Sequence, residues 1–131
     1  MPNNIGKKTY KKTICIDIDG TVCSQTQGDY ENAKPFQKAL DIVNCLYDEG
    51  FEIVFFTARF MGRYKGDLEK VYQQGYDFTF NQLKEWGVKF HKLYLGKPSH
   101  HILVDDKALF FNPNWEDIYN AIKAKESEFI R

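Results

Sequence analysis

The sequence predicts an α/β domain of three layers around a mostly parallel sheet, with no second domain. Two observations predict it. Short, continuously apolar runs rich in β-branched and aromatic residues alternate with segments of helical spacing. The acidic residues that interrupt those runs fall at their ends, at Asp17, Asp19, Asp105 and Asp106. In open parallel sheets, the carboxyl ends of the strands are where ligands bind.

Taken in order, residues 13–18 (TICIDI) and 51–57 (FEIVFFT) read as strands covered on both faces. Between them, Phe36, Ala39, Leu40, Val43, Leu46 and Tyr47 recur at helical spacing, with Pro35 near the start and Gly50 past the end. A strand, helix and strand in this order make a right-handed crossover and set the two strands parallel. After the loop 58–66, weaker helical signals cover 67–74 and 77–86 and stop at Gly87. Residues 88–95 and 101–105 (HILVD) read as two further strands. Residues 114–125 read as a last helix with Trp115, Ile118, Tyr119 and Ile122 on one face. Asn114 is its expected N-cap, with Asp117 completing a capping-box variant.

The chain of 131 residues is expected to form one domain, with residues 1–12 as a frayed, solvated lead-in carrying Lys7, Lys8, Lys11 and Lys12. Its composition is 43% hydrophobic and 27% charged, with 18 basic against 18 acidic residues. That balance gives no field to attract nucleic acid or an anionic membrane. Cys15, Cys23 and Cys45 have neither disulfide-framework nor zinc spacing, so reduced thiols in the cytoplasm are expected. Cys15 is expected in the core, and Cys23 is the thiol to watch on a flap formed by 22–30. No apolar run is long enough to span a bilayer, and the amino-terminal stretch lacks the apolar core of a signal peptide.

Crowded carboxylates repel one another, so acids at two strand ends imply a bound cation or a lysine among them. Magnesium suits hard oxygen ligands, because it keeps several waters and is held by one or two carboxylates plus a substrate phosphate. The i, i+2 spacing turns Asp17 and Asp19 to one side of an extended chain, where they can address one reacting group. One carboxylate can accept a phosphoryl group while the other moves protons. Gly20 allows a sharp turn that brings backbone N–H groups near an anion. Thr57 offers a hydroxyl and an N–H at the second strand's end, and Lys97 offers positive charge.

In this order the residues resemble the haloacid dehalogenase superfamily of phosphotransferases: Asp17-Ile18-Asp19-Gly20-Thr21, the Thr57 of Phe55-Phe56-Thr57-Ala58-Arg59, Lys97 of Gly96-Lys97-Pro98, and Asp105-Asp106. The resemblance runs from residue 13 to about 111. It implies a Rossmann-like (HAD-like) sheet domain. Asp17 would be the nucleophile that forms an aspartyl-phosphate, Asp19 the general acid and base, and Thr57 and Lys97 the phosphate binders. It further implies Mg²⁺ on the Asp17 carboxylate, the Asp19 backbone carbonyl and Asp105, with Asp106 in support.

The 14 residues at 20–33 and the 39 between Thr57 and Lys97 leave no room for a cap domain. Such capless members resemble phosphatases of capsule and surface-polysaccharide biosynthesis, which points to a small sugar phosphate. Specificity would then come from the flap, from Arg59 to Arg63, or from a homo-oligomeric neighbour. A nucleotide or polynucleotide end is the alternative substrate. A receiver-like phospho-accepting module or a non-catalytic phosphate-binding protein is the alternative of another class. One departure concerns Lys97: a parallel connection takes about a dozen residues, yet only 96–100 separate the last two strand candidates. Lys97 is therefore expected on a short irregular link, with Lys107 as its substitute.

Overall fold

The computed structural model describes residues 9–129. Strand β1 (Thr13–Ile16), helix α1 (Gln37–Asp48), β2 (Glu52–Thr57), α2 (Leu68–Glu85), β3 (Lys92–Leu95) and α3 (Trp115–Lys125) follow in order, with single 3-10 turns at Tyr30–Asn32 and Glu126–Phe129. The sheet order is β1-β2-β3 and both pairings are parallel, so the predicted α/β class with a parallel sheet is the one observed.

Alternation along the strands decides which face is covered. Ile14 pairs with Ile53, Ile16 with Phe55, Phe55 with Leu93 and Thr57 with Leu95, and these residues point to one face. Against that face pack Leu40, Val43 and Leu46 of α1, Val71 and Leu83 of α2, and Ile118 and Ile122 of α3 in a continuous core. The opposite face carries Thr13, Cys15, Val54, Phe56, Lys92 and Tyr94 and lines an open concavity. All three helices therefore feed one face, and the third layer expected from the sequence is not built by the described residues. Cys15, expected in the core, is exposed on this open face.

Two further expectations change. The strand foreseen at 101–105 does not form: residues 101–111 have no regular structure and are exposed, so among the described residues the sheet ends at β1 on that side. The two weak helical signals are one helix of 18 residues, α2, whose N-cap Asp67 accepts from the Lys70 N–H at 3.3 Å. Asn114 caps α3 as expected, accepting from the Glu116 N–H at 3.0 Å. Asp117, however, accepts from Asn112 Nδ2 at 3.1 Å and does not close a capping box. Of the lead-in, residues 1–8 lie outside the described residues. Lys11 N–H donates to the Gly50 carbonyl and the Lys12 carbonyl accepts from Glu52 N–H, each at 2.9 Å, so the chain is tied in before β1 begins.

Helix α3 is fastened to the end of α1 at Glu49. Its carboxylate accepts from Tyr119 Oη at 2.5 Å and from Lys123 Nζ at 2.9 Å, and these hydrogen bonds hold its pKa down at about 2. A depressed carboxylate contributes stability that is present above its ordinary range and is lost as pH falls through the folded value. Glu49→Gln should lower the midpoint of thermal unfolding at neutral pH by roughly 2–6 °C, and the gap to wild type should close as pH approaches about 2.

Candidate active site

The chain turns sharply where β1 ends. Gly20 sits at φ +81°, in the left-handed region that glycine occupies without strain, and the Thr21 and Val22 N–H groups fold back onto the Ile18 carbonyl at 3.0 and 2.9 Å. This turn leaves Asp17 and Asp19 at the rim of a concavity of about 700 Å³ beyond the carboxyl ends of the strands. Thr57, Arg59 and Lys97 join its wall from β2 and from the link after β3.

Arg59 organises the site. Its side chain is 0% exposed, and its guanidinium donates from Nε to Asp19 Oδ2 at 2.8 Å and from Nη2 to Asp19 Oδ1 at 2.9 Å. Nη1 donates to Gln82 Oε1 at 2.7 Å, and the plane lies over the Tyr30 ring at 4.7 Å. The sequence offers Arg59 as a supporting or substrate-binding residue; in the structure it stands in the pocket wall as a strut for Asp19. The buried Cys23 thiol lies 3.5 Å from Asp19 Oδ1. Oδ1 thus meets two neighbours and Oδ2 one, so Oδ2 keeps the more open lone pair for an incoming proton. Burial and the nearby Asp19 push the Cys23 thiol up to about 12, so the thiol singled out on the flap is an inert core group.

Asp17 has a different environment. Burial raises its pKa, against the opposing pull of Lys97, whose Nζ is 3.6 Å from Oδ2. Lys97 is anchored through its own N–H to the Thr57 carbonyl at 3.2 Å, which places the lysine the resemblance points to at the pocket, on the irregular link. Lys107 does not line the pocket; its N–H donates to Asp105 Oδ1 at 2.8 Å within the exposed segment. Thr57 is buried, and its hydroxyl oxygen accepts from the Arg59 N–H at 3.0 Å, which leaves the hydroxyl proton to donate to an anion.

The turn after Thr57 is held by a residue that sequence reasoning did not pick out. Phe60 adopts φ +71°, strained for a bulky side chain, and its ring lies against α2 at Gly75. A Cβ at Gly75 would stand 2.3 Å from the Phe60 ring, so this glycine in mid-helix makes room for the ring. The signal was present as a glycine that interrupts a helical pattern. Arg63 donates from Nη2 to the Gly28 carbonyl at 2.8 Å and lies over the Phe60 ring, closing the flap side of the pocket.

The structure brings together Asp17, Asp19, Gly20, Thr57, Arg59 and Lys97. Asp105 and Asp106 do not line the concavity; both are exposed on 101–111. Asp105 is near enough for its charge to act on the Cys15 thiol of β1. Among the described residues, no three acidic, histidine or cysteine side chains gather as a metal cluster, and of the donors expected for Mg²⁺ Asp105 does not line the concavity.

Comparison with known proteins bears on the fold. No family model and no curated protein matches the chain. A crystal structure of an MCSG target from Vibrio cholerae superposes with a TM-score of 0.72 at 27% identity, covering 87% of this chain and 98% of that one. The chain shares its fold. A D,D-heptose 1,7-bisphosphate phosphatase from B. bronchiseptica, complexed with magnesium and phosphate, aligns at a TM-score of 0.46 and 17% identity over 86% of this chain and 64% of that one, too distant to argue from.

Removing the strut strands a carboxylate. Arg59→Leu leaves Asp19 and Gln82 without their donor at a largely buried ion pair and should cost about 3–5 kcal/mol of folding stability, read as a lower urea midpoint with an unchanged slope.

Proposed function

We propose that the chain is a phosphomonoester hydrolase that works through an aspartyl-phosphate on Asp17, with a small phosphorylated sugar as substrate. One observation carries the reading: Asp17, Asp19, Thr57 and Lys97, drawn from three separate parts of the chain, converge on one concavity at the carboxyl end of the sheet. A solvated surface has no reason to gather a desolvated carboxylate, a second carboxylate with a fixed orientation, a hydroxyl and a lysine at one point.

In the first step an Asp17 oxygen attacks phosphorus, the bond from phosphorus to the ester oxygen breaks, and Asp19 gives its proton to that departing oxygen. In the second step water attacks phosphorus and passes a proton to Asp19. The bond from phosphorus to Asp17 then breaks, releasing inorganic phosphate and restoring both carboxyl groups. Lys97 and the Thr57 hydroxyl face the non-bridging oxygens, where charge must be met. Arg59 fixes Asp19 Oδ2 toward the reacting group, so reorientation costs nothing during proton transfer. Magnesium is the cofactor the resemblance implies, but Asp105, one of its expected donors, does not line the concavity, and the steps above use only the chain's own groups.

The pocket wall supports a sugar over a nucleotide. Gln25, Gln27, Ser99 and His100 offer donors and acceptors suited to hydroxyl groups. Tyr30 is the one tyrosine, phenylalanine or tryptophan among the described lining residues, and Arg59 and Arg63 lie over its ring, so it offers little free face to a base. Cys15, Cys23 and Cys45 are all free, which supports a reducing compartment such as the cytoplasm.

Phosphate release should be measured with sugar phosphates, nucleotides and an aryl phosphate, with added Mg²⁺ and with chelator. Wild type should release phosphate, most readily from a sugar phosphate. Asp19→Asn should lower kcat by about 10²- to 10⁴-fold, and Asp17→Asn should abolish turnover. Because burial raises the Asp17 pKa, its ionised form weighs against the fold, and that burden is present above the folded pKa and absent at acid pH. Asp17→Asn should therefore unfold at a higher temperature than wild type at neutral pH, with the difference vanishing in acid. No release from any substrate would overturn the reading.

A further inference from the structure

We propose that two copies of the chain exchange residues 101–111, each laying 101–105 along the open edge of the other's β1 and delivering Asp105 to the other's site. The unpaired segment and the open strand edge are features of the fold; the task given to Asp105, and with it the parallel direction of the pairing, rests on the phosphatase reading above.

The segment has a strand's sequence, His101-Ile102-Leu103-Val104-Asp105, and none of a strand's contacts. Ile102 is 81% exposed, Val104 93% and Phe110 97%, a run of apolar side chains in water next to unpaired backbone. Among the described residues β1 pairs with β2 alone, so its other edge presents N–H and C=O groups in a row with no partner there. Each feature lacks what the other offers.

Chain length prevents the segment from meeting that need in its own copy. To end with Asp105 beside Asp17, the strand must run parallel to β1 and so begin at the opposite end of the sheet. The start of the segment is tethered, because the Lys97 N–H is bonded to the Thr57 carbonyl at the carboxyl end of β2. From there, on the β3 side of β2, the chain must cross three strand spacings, about 14 Å, and descend at least four strand residues, about 13 Å, a direct path of about 19 Å. The four steps from residue 97 to 101 reach at most about 14 Å when fully extended, before any detour around the sheet. An antiparallel return is within reach, but it carries Asp105 to the wrong end. A second copy removes the limit, since the segment continues outward to a partner's β1. Two-fold symmetry then makes the exchange reciprocal, and a short hinge is the usual setting for such swaps. That Asp105 does not line its own chain's concavity has the same explanation, with that acid delivered to the partner.

The test has two independent arms. In the first, wild type is examined by sedimentation, and by hydrogen exchange of the 101–105 amides over a dilution series. The expected result is a dimer in which these amides are protected and lose protection on dilution. A monomer, or a dimer whose 101–105 amides exchange freely, overturns the proposal whether or not the protein is a phosphatase. In the second, Asp17→Asn and Asp105→Asn chains are co-expressed. Each variant alone should be inactive, whereas the mixture should recover about one quarter of the wild-type rate per chain, since random pairing leaves one site in four with both acids. With wild type active, a mixture as dead as its parents would show that Asp105 serves its own chain and overturn delivery to the partner. An inactive wild type would defeat the phosphatase reading and leave the exchange to be decided by the first arm.

Discussion

The site depends on a guanidinium buried without access to water. Arg59 loses its hydration on folding, a cost that an ion pair recovers only with good geometry and with its remaining donors satisfied. Here both Asp19 oxygens, the Gln82 carbonyl oxygen and the Tyr30 ring meet it. Gln82 belongs to α2 and donates in turn to the Tyr30 carbonyl at 2.8 Å, so one charge ties the end of β1, the flap and the second helix together. The strained turn at Phe60 and the notch at Gly75 carry the chain from the end of β2 past this arginine.

Around that strut the two aspartates of one short motif acquire separate characters. Asp19 is oriented by a bidentate partner. Asp17 stands two residues away, partly desolvated, with a lysine at 3.6 Å, and burial outweighs that lysine in setting its proton affinity. Pairs of acids whose surroundings differ in this way can divide nucleophilic and proton-transfer work. The division comes from packing and not from the acids' own chemistry.

Much of this could be read in the sequence because it depends on local pattern. The runs at 13–18 and 51–57, the helix between them and the Asn114 cap carry their periodicity in adjacent residues, and each appears close to its expected bounds. The strand at 88–95 shortens to Lys92–Leu95, since only there does a partner strand run alongside. What could not be read depends on contacts across the fold. Arginine in a loop is ordinarily solvated, and only the meeting of Asp19, Gln82 and Tyr30 explains its burial. Cys23 looked like a flap thiol because its neighbours are polar, yet it is fully buried. Residues 101–105 have a strand's composition without a strand's partner, and a pairing that depends on another segment is invisible to a local pattern.

The central claim is that Asp17, and not Asp19, takes the phosphoryl group. Wild-type protein mixed in excess with its best phosphorylated substrate should be quenched in acid during the first turnover and reduced with borohydride, which converts an acyl phosphate to an alcohol. Peptide mass analysis should then find homoserine at position 17. Homoserine at position 19, or full turnover with neither carboxyl modified, would contradict the account.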